Sequence, residues 1–428
     1  NSRKRFRRQI IMLSSTLILV LIGLAVISAV AGVVGCYAFL RKRALVGDAV
    51  AHSVLPGVAV GFILSGTKDP LYLLLGGLVF GYLAILSIDL IHRKTKLSED
   101  SAIGLVTTIY FALGSVFLSV ISNSGNGDQA GLKDFLFGKA ATMTEMDVTV
   151  FLIAAILVVI AVAIFYKPFL LLSFNKDFAN TQGWKVNFYE TLLSLMTVLV
   201  IAIGLQAVGV VLMSALLIAP AASSRYWTNS LRKMMVISAI FGALAGIGGG
   251  LLSLVGEDMP TGPWVIMILF LFTLLTLLFA PEKGYFFIRR RNRNNLRKIN
   301  EENVMKALQQ FDEIGIKEVT VSSFLDKRKM DTDQLQKTFN NLFDKEWVTK
   351  INDVYSLTER GAIEAKRIVR LHRLWELYLT QRLNFKEDHI HGTAETIEHL
   401  ITPELEAQLV KELDYPTEDP HSKEIPYN

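Results

Sequence analysis

Long apolar runs separated by short polar segments dominate the first 280 residues of the chain. A helix that crosses a bilayer needs about 20 mostly apolar residues, and by that measure the sequence holds about nine candidates. They lie near residues 11–39, 49–65, 71–91, 101–121, 148–166, 191–206, 207–222, 234–255 and 264–280. The stretch 191–222 allows one long helix or two broken ones, so the pattern predicts eight or nine spans.

The pattern changes near Asn300, where amphipathic segments of ordinary length replace the apolar runs. Helices are predicted near 301–311, 320–326, 332–346 and 359–382, with a hairpin over 347–357. This order is typical of a winged helix followed by a helical domain. Another helical piece is expected near 391–413 and an irregular tail from 414 to 428.

Composition and charge support two regions with different surroundings. With 51% hydrophobic and 19% charged residues, the chain is too apolar for a water-soluble globule of this length. Residues 1–300 carry 27 Lys and Arg against 14 Asp and Glu, whereas 301–428 carry 17 against 25. We therefore predict an all-α polytopic membrane protein with a C-terminal winged-helix and helical domain. The expected parts are a transmembrane domain over 1–285, a basic linker over 286–300 and a cytoplasmic domain over 301–428.

Lys and Arg cluster in alternate loops between the apolar runs, at 41–43, 93–96, 167–185, 225–233 and 289–298. Cytoplasmic loops carry an excess of these residues, so we expect these loops and the C-terminal domain on the inner side of the plasma membrane. The basic run 3–8 conflicts with a nine-span arrangement. It leaves open an atypical amino terminus, an even number of spans or a preceding segment.

Asp48 and His52 lie four residues apart in an apolar run, which places both on one face of a helix. A carboxylate oxygen and an imidazole nitrogen suit Mn²⁺, Fe²⁺ or Zn²⁺, and ionisable groups inside a membrane are usually functional. The alternative is that Asp48 caps the helix at the interface and His52 binds a neighbouring backbone group. Pro56 and Gly57 follow and predict an interruption of the span beside a transport pathway. The single cysteine, Cys36, excludes an intrachain disulfide and a Cys-rich zinc site.

The run from Leu40 to Gly57 resembles the signature of the membrane subunits of manganese, zinc and iron ABC importers. Further matching stretches are residues 99–104, 135–138, 205–221 and 260–263, so the resemblance covers about residues 12–282. It implies that Asp48 and His52 line the path of a transported divalent metal. A carboxylate and an imidazole without a thiolate favour manganese, with iron and zinc as alternatives.

The same resemblance implies a non-catalytic permease subunit. Its partners would be ABC ATPase subunits, a second permease subunit of the same or a related chain, an extracellular solute-binding protein and the lipid bilayer. The chain itself has no Walker-type Gly-Lys-Ser/Thr loop. Residues 177–183 resemble the coupling helix that this family inserts into the ATPase, or they form an ordinary surface helix. The predicted coupling residues are Asp177, Phe178, Ala179 and Gly183, with Phe178 and Ala179 as apolar contacts.

The C-terminal region holds two groups of oxygen and imidazole donors at helical spacing, which could enclose a divalent ion or form a charged solvated face. These donors are His372, Glu376, His391, Glu395, Glu398 and His399. Residues from about 303 to 426 resemble the diphtheria-toxin-repressor and manganese-regulator family. That resemblance implies a primary metal site at the last three donors and a second site at the first three. It also implies a ligand from the first helix, where this sequence has Asn303 and Lys306.

Three classes of function follow from these patterns. We prefer a metal transporter whose cytoplasmic domain binds a regulatory Mn²⁺ and restrains transport. The alternative is a membrane-tethered, metal-responsive transcriptional repressor. DNA is disfavoured as a partner because the domain is acidic and the predicted recognition helix, 332–345, has mixed charge. A membrane metalloprotease is disfavoured because no His-Glu-x-x-His motif is present.

Overall fold

A computed structural model describes residues 2–67, 70–123, 143–253, 255, 261–327, 330–383, 402–421 and 423–427. The chain divides into two compact units, Asn1–Phe287 and Ile288–Asn428. The helices before residue 280 are α1 (Ser2–Leu40), α2 (Val46–Ser65), α3 (Pro70–Lys94), α4 (Glu99–Asn123), α5 (Glu145–Ile164), α6 (Tyr166–Phe174), α7 (Lys176–Thr181), α8 (Val186–Val208), α9 (Val210–Trp227), α10 (Leu231–Leu252) and α11 (Thr261–Phe279).

Within the described residues, eight of these helices are long and apolar enough to cross a membrane. They are α1 to α5, α8, α10 and α11. The predicted class, an all-α polytopic membrane protein, is confirmed. Large apolar side chains also remain exposed along these helices, for example Ile156 at 56% and Phe270 at 63%. Such surfaces are rare on soluble monomers and are expected where lipid is the solvent.

The ambiguous stretch 191–222 forms two helices that meet at Gly209. This residue has φ 92° and ψ 162°, a backbone conformation that is essentially restricted to glycine. Because a side chain there would be strained, α8 ends at Val208 and α9 begins at Val210. The two-helix interpretation is therefore correct.

Helix α2 runs without a break from Val46 to Ser65, with Pro56 inside it. The predicted interruption at Pro56 and Gly57 is therefore wrong. Gly57 instead allows close packing, because a Cβ on it would collide with the carbonyl oxygen of Gly76 in α3. Gly66 follows and caps helix α2, with a left-handed backbone (φ 67°) and an N–H that donates to the carbonyl oxygen of Phe62.

The second unit contains the predicted winged helix. Its elements are α12 (Tyr285–Glu313, which begins in the first unit), β1 (Val319–Thr320), α13 (Val321–Lys327), α14 (Thr332–Asp344), β2 (Val348–Ile351), β3 (Val354–Leu357), α15 (Glu359–Leu383) and α16 (Pro403–Glu412). The strands form an antiparallel sheet in the order β1-β3-β2. Asn352 and Asp353 turn the hairpin with positive φ at both positions. The stretch 286–300, expected to be a linker, is helical within α12.

Aromatic packing organises the core of this winged helix. The rings of Phe339 in α14 and Tyr355 in β3 stack with centroids 4.0 Å apart, and Phe324 meets Phe339 edge to face. The Tyr355 hydroxyl accepts a hydrogen bond from the Gln336 amide at 2.8 Å. Burying both rings while satisfying the hydroxyl fixes the sheet against α14.

Candidate functional site

Asp48 and His52 occupy the first two turns of α2, as their spacing predicts. From Val46 to Ala59 all residues are buried except these two, which are partly exposed. The Asp48 Oδ1 atom lies 3.8 Å from Nε2 of His52, and the two side chains are 41% and 20% exposed. The carboxylate and the imidazole therefore line the only open strip on this part of the helix.

The His52 ring is held from one side by an aromatic contact. Its centroid lies 5.1 Å from that of Phe111 in α4, at an interplanar angle of 83°. The Nδ1 atom is buried and has no hydrogen-bond partner among the described residues. A buried ring nitrogen without a partner is costly in a purely structural histidine. This arrangement argues against the alternative in which His52 binds a neighbouring backbone group.

Pro56, one turn after His52, removes a backbone hydrogen bond from α2. Proline has no N–H, so it cannot donate the helical hydrogen bond to the carbonyl oxygen four residues earlier. In α2 that oxygen belongs to His52. The carbonyl oxygen of His52 therefore lacks its helical donor.

A group of ion pairs joins the loop between α1 and α2 to three other helices. Arg43 contacts Asp89 of α3 at 3.0 Å and Glu99 of α4 at 2.8 Å. Arg41 contacts Glu190 of α8 at 3.0 Å. The two arginines were predicted as loop charges within the Leu40–Gly57 run, and Asp89 and Glu190 were not predicted as their partners. The available signal was an acidic residue near the end of an apolar helix.

Arg41, which pairs with Glu190, is well shielded from solvent, at 13% side-chain exposure. Burial lowers the pKa of Arg41 and the nearby Arg43 lowers it further, while Glu190 opposes the shift. The guanidinium stays charged because an arginine pKa is so high in water. A cavity of about 300 Å³ lies beside these pairs, and its lining includes Arg43, Asp89, Asn187 and Glu190.

The predicted coupling segment forms the short helix α7. The side chain of Asn175 caps it by accepting a hydrogen bond from the Phe178 N–H at 2.9 Å. Gly183, with φ 77°, follows the helix. Phe178 is 49% exposed whereas Ala179 is 2% exposed. Ala179 is therefore not available as an apolar contact for a partner, and Phe178 is.

In the second unit, the pair His372 and Glu376 is buried on α15. The His372 Nε2 atom lies 3.0 Å from Oε1 of Glu376. The remaining predicted donors, His391, Glu395, Glu398 and His399, lie outside the described residues. Within the described part of the chain, no group of three or more His, Cys, Asp or Glu residues could hold a metal.

The donor chemistry of this pair fits a divalent ion, since imidazole nitrogen and carboxylate oxygen are ordinary ligands for manganese, iron and zinc. Helix α12 adds no acidic ligand at the positions that the resemblance indicated. Lys306 is 2% exposed and Asn303 is half-buried. Because an ammonium group cannot ligate a cation, a site built on His372 and Glu376 has to be completed by other residues.

Comparison with known proteins agrees with this architecture. Residues 14–280 match the model of the ABC 3 transport family. Residues 358–427 match the model described as the iron dependent repressor, metal binding and dimerisation domain. The fold and these matches define a polytopic membrane permease that carries a repressor-like domain. The chain belongs to the ABC 3 transport family.

Individual relatives resemble the chain over different shares of its length. The manganese transport system membrane protein MntC of Bacillus subtilis is 36% identical over 366 residues, covering 85% of this chain and 84% of its own. The zinc transport system membrane protein TroC of Treponema pallidum is 36% identical over 278 residues, covering 65% and 93%. The structure of PsaBC from Streptococcus pneumoniae in complex with Fab aligns with TM-score 0.57 and 34% identity, covering 63% of this chain and 94% of that chain.

Proposed function

We propose that this chain is the membrane subunit of an ATP-driven importer of a divalent transition metal, with manganese as the preferred ion. The observation that carries the proposal is the Asp48 and His52 pair on the open strip of α2. Relatives named for manganese and for zinc transport support the choice of cargo. Oxygen and imidazole donors without a thiolate favour manganese or iron over zinc.

The distance between the two side chains supports shared ligation. An ion that binds oxygen and nitrogen at about 2.1 Å each can be shared by atoms up to about 4.2 Å apart. The observed separation of Asp48 Oδ1 and His52 Nε2 is 3.8 Å. Two side-chain ligands and weak further donors would hold an ion loosely, which suits a pathway because the ion must also leave.

The remaining parts of the proposed machine are separate proteins. In this proposal ATPase subunits hydrolyse ATP and contact the permease through α7, where Phe178 offers an exposed ring. A second permease subunit completes the pathway, and an extracellular solute-binding protein delivers the ion. The chain sits in the plasma membrane with its second unit in the cytoplasm, as the loop charges favour.

The second unit is proposed to sense cytosolic metal. The match of residues 358–427 to a metal-binding repressor domain supports this role, and His372 with Glu376 would supply two ligands. Metal bound there would favour one conformation of the unit and restrain transport. A tethered transcriptional repressor is the second candidate, favoured by the same match but disfavoured by the acidic charge of 301–428.

The test is manganese uptake into vesicles that contain the full complex, ATP and the loaded solute-binding protein. Asp48→Asn and His52→Gln should each lower uptake by on the order of tenfold or more, because residues that merely orient a metal ligand already have effects of that size. Asp100→Asn and His92→Gln are matched controls at exposed positions. Unchanged uptake in both α2 variants would remove the pair from the pathway.

A further inference from the structure

The carboxylate of Glu190 binds two cations that belong to different parts of the first unit. Its Oε1 atom accepts from Arg41 at 3.0 Å, and its Oε2 atom accepts from Lys176 at 2.8 Å. The Glu190 side chain is 16% exposed. The pair of Arg41 and Glu190 is shielded on both sides, at 13% and 16% side-chain exposure, so it constrains geometry more than a surface pair does because water and salt screen it less.

The two cations sit at positions that bear on the proposed function, on which this inference rests. Lys176 is the first residue of α7, the proposed contact to the ATPase. Arg41 directly follows α1 and lies five residues before the start of α2, which carries Asp48 and His52. Glu190 therefore ties the coupling helix to the chain segment that leads into the metal ligands.

A second set of ion pairs extends this connection. Arg43, two residues after Arg41, binds Asp89 of α3 and Glu99 of α4. Helices α3 and α4 both pack against α2. A movement of the loop between α1 and α2 would thus be imposed on α3 and α4 as well.

The structure also leaves room for such a movement. The cavity of about 300 Å³ is lined by Arg43, Asp89 and Glu190, so these side chains border open space rather than a packed core. Close-packed interiors resist small displacements, whereas side chains beside a cavity can change partners. Glu190, which binds both cations, therefore has open space on one side.

We propose that Lys176, Glu190 and Arg41 form a mechanical link that transmits the nucleotide-driven displacement of α7 to α2. Glu190 is a positioning residue in this link and not a ligand of the transported ion, since a cation already occupies each of its oxygen atoms. Breaking the link uncouples ATP hydrolysis from metal movement while leaving both sites intact.

The experiment measures manganese uptake and ATP hydrolysis together in vesicles that contain the full complex and the loaded solute-binding protein. Glu190→Gln should keep ATP hydrolysis but lower the number of manganese ions transported per ATP about five- to tenfold, the size of a typical coupling, and Lys176→Met should lower the same ratio. The double variant should transport no fewer manganese ions per ATP than either single variant, because both substitutions break the same link. Lys176→Arg keeps the positive charge and should transport the wild-type number of manganese ions per ATP.

Lys185→Met is the matched control, because this exposed lysine precedes α8 outside the link. A normal ratio in Glu190→Gln and Lys176→Met would overturn the proposal. A parallel fall in uptake and hydrolysis would overturn it as well, since that result indicates a structural role. Lys176 is 44% exposed on its side chain, so its variant does not depend on a repacked core. A wild-type complex that moves no manganese would instead refute the proposed function itself.

Discussion

Gly57 of α2 and Gly76 of α3 approach so closely that a Cβ on either residue would collide with the carbonyl oxygen of the other. Small residues at such a crossing let two helix backbones pack directly, which is a main source of helix association in lipid. The crossing lies just beyond His52 on α2. It therefore fixes the packing of α2, which carries the proposed ligands, against α3.

Gly57→Val is expected to destabilise the first unit and abolish uptake. Overpacking a tight contact costs roughly 1–3 kcal/mol, and here the obstruction is backbone that cannot rotate away. Thermal unfolding of the purified complex and the amount inserted in the membrane measure the effect. Gly104→Ala on α4 is the matched control, because a Cβ there meets nothing within 4 Å. Equal stability of the two variants would show that the crossing is not a tight contact.

The sequence predicted most of the fold because hydrophobic periodicity is local information. Apolar runs marked the long helices, and the alternation of short amphipathic segments marked the winged helix. The ion pairs were not predictable, since Arg41 and Glu190 are 149 residues apart in the chain. Only the packing of α8 against the end of α1 brings them together.

The candidate site was predictable in part for the same reason. The four-residue spacing of Asp48 and His52 is a local property of one helix. The burial of Ala179 and the continuity of α2 through Pro56 depend instead on neighbouring helices. Tertiary packing holds Pro56 inside a helix that its missing N–H alone would weaken.

Pro56→Ala is expected to lower the affinity for manganese several-fold while leaving the fold intact. The new N–H of residue 56 can donate to the carbonyl oxygen of His52, so that oxygen would no longer be free to serve as a further donor to the ion. Manganese binding by the full complex measures the effect. Pro220→Ala in α9 is the matched control, because it would restore a helical hydrogen bond in a helix that carries neither proposed ligand. Equal binding by both variants would exclude the carbonyl as a ligand.

Phe178→Ala is expected to weaken the association of the ATPase subunits by about tenfold. An exposed aromatic ring that enters a partner's pocket is a typical hot spot, with a cost of about 1–2 kcal/mol or more on truncation. Copurification and equilibrium binding of the ATPase subunits measure the loss. Phe174→Ala is the matched control, since that ring is 58% exposed at the end of α6. A similar loss in both variants would indicate a general apolar surface rather than a coupling contact.

His372→Ala and Glu376→Gln are expected to relieve the inhibition of uptake by cytosolic manganese. In cells loaded with manganese, uptake by the wild-type complex should fall several-fold, which is the size of an ordinary allosteric coupling. Uptake by both variants should stay at the rate that is measured without loading. His421→Ala is the matched control at an exposed position of the same unit. The buried contact between His372 and Glu376 also supports folding, so the variants must first show the wild-type rate without loading. Feedback that persists in both variants would place the sensor elsewhere.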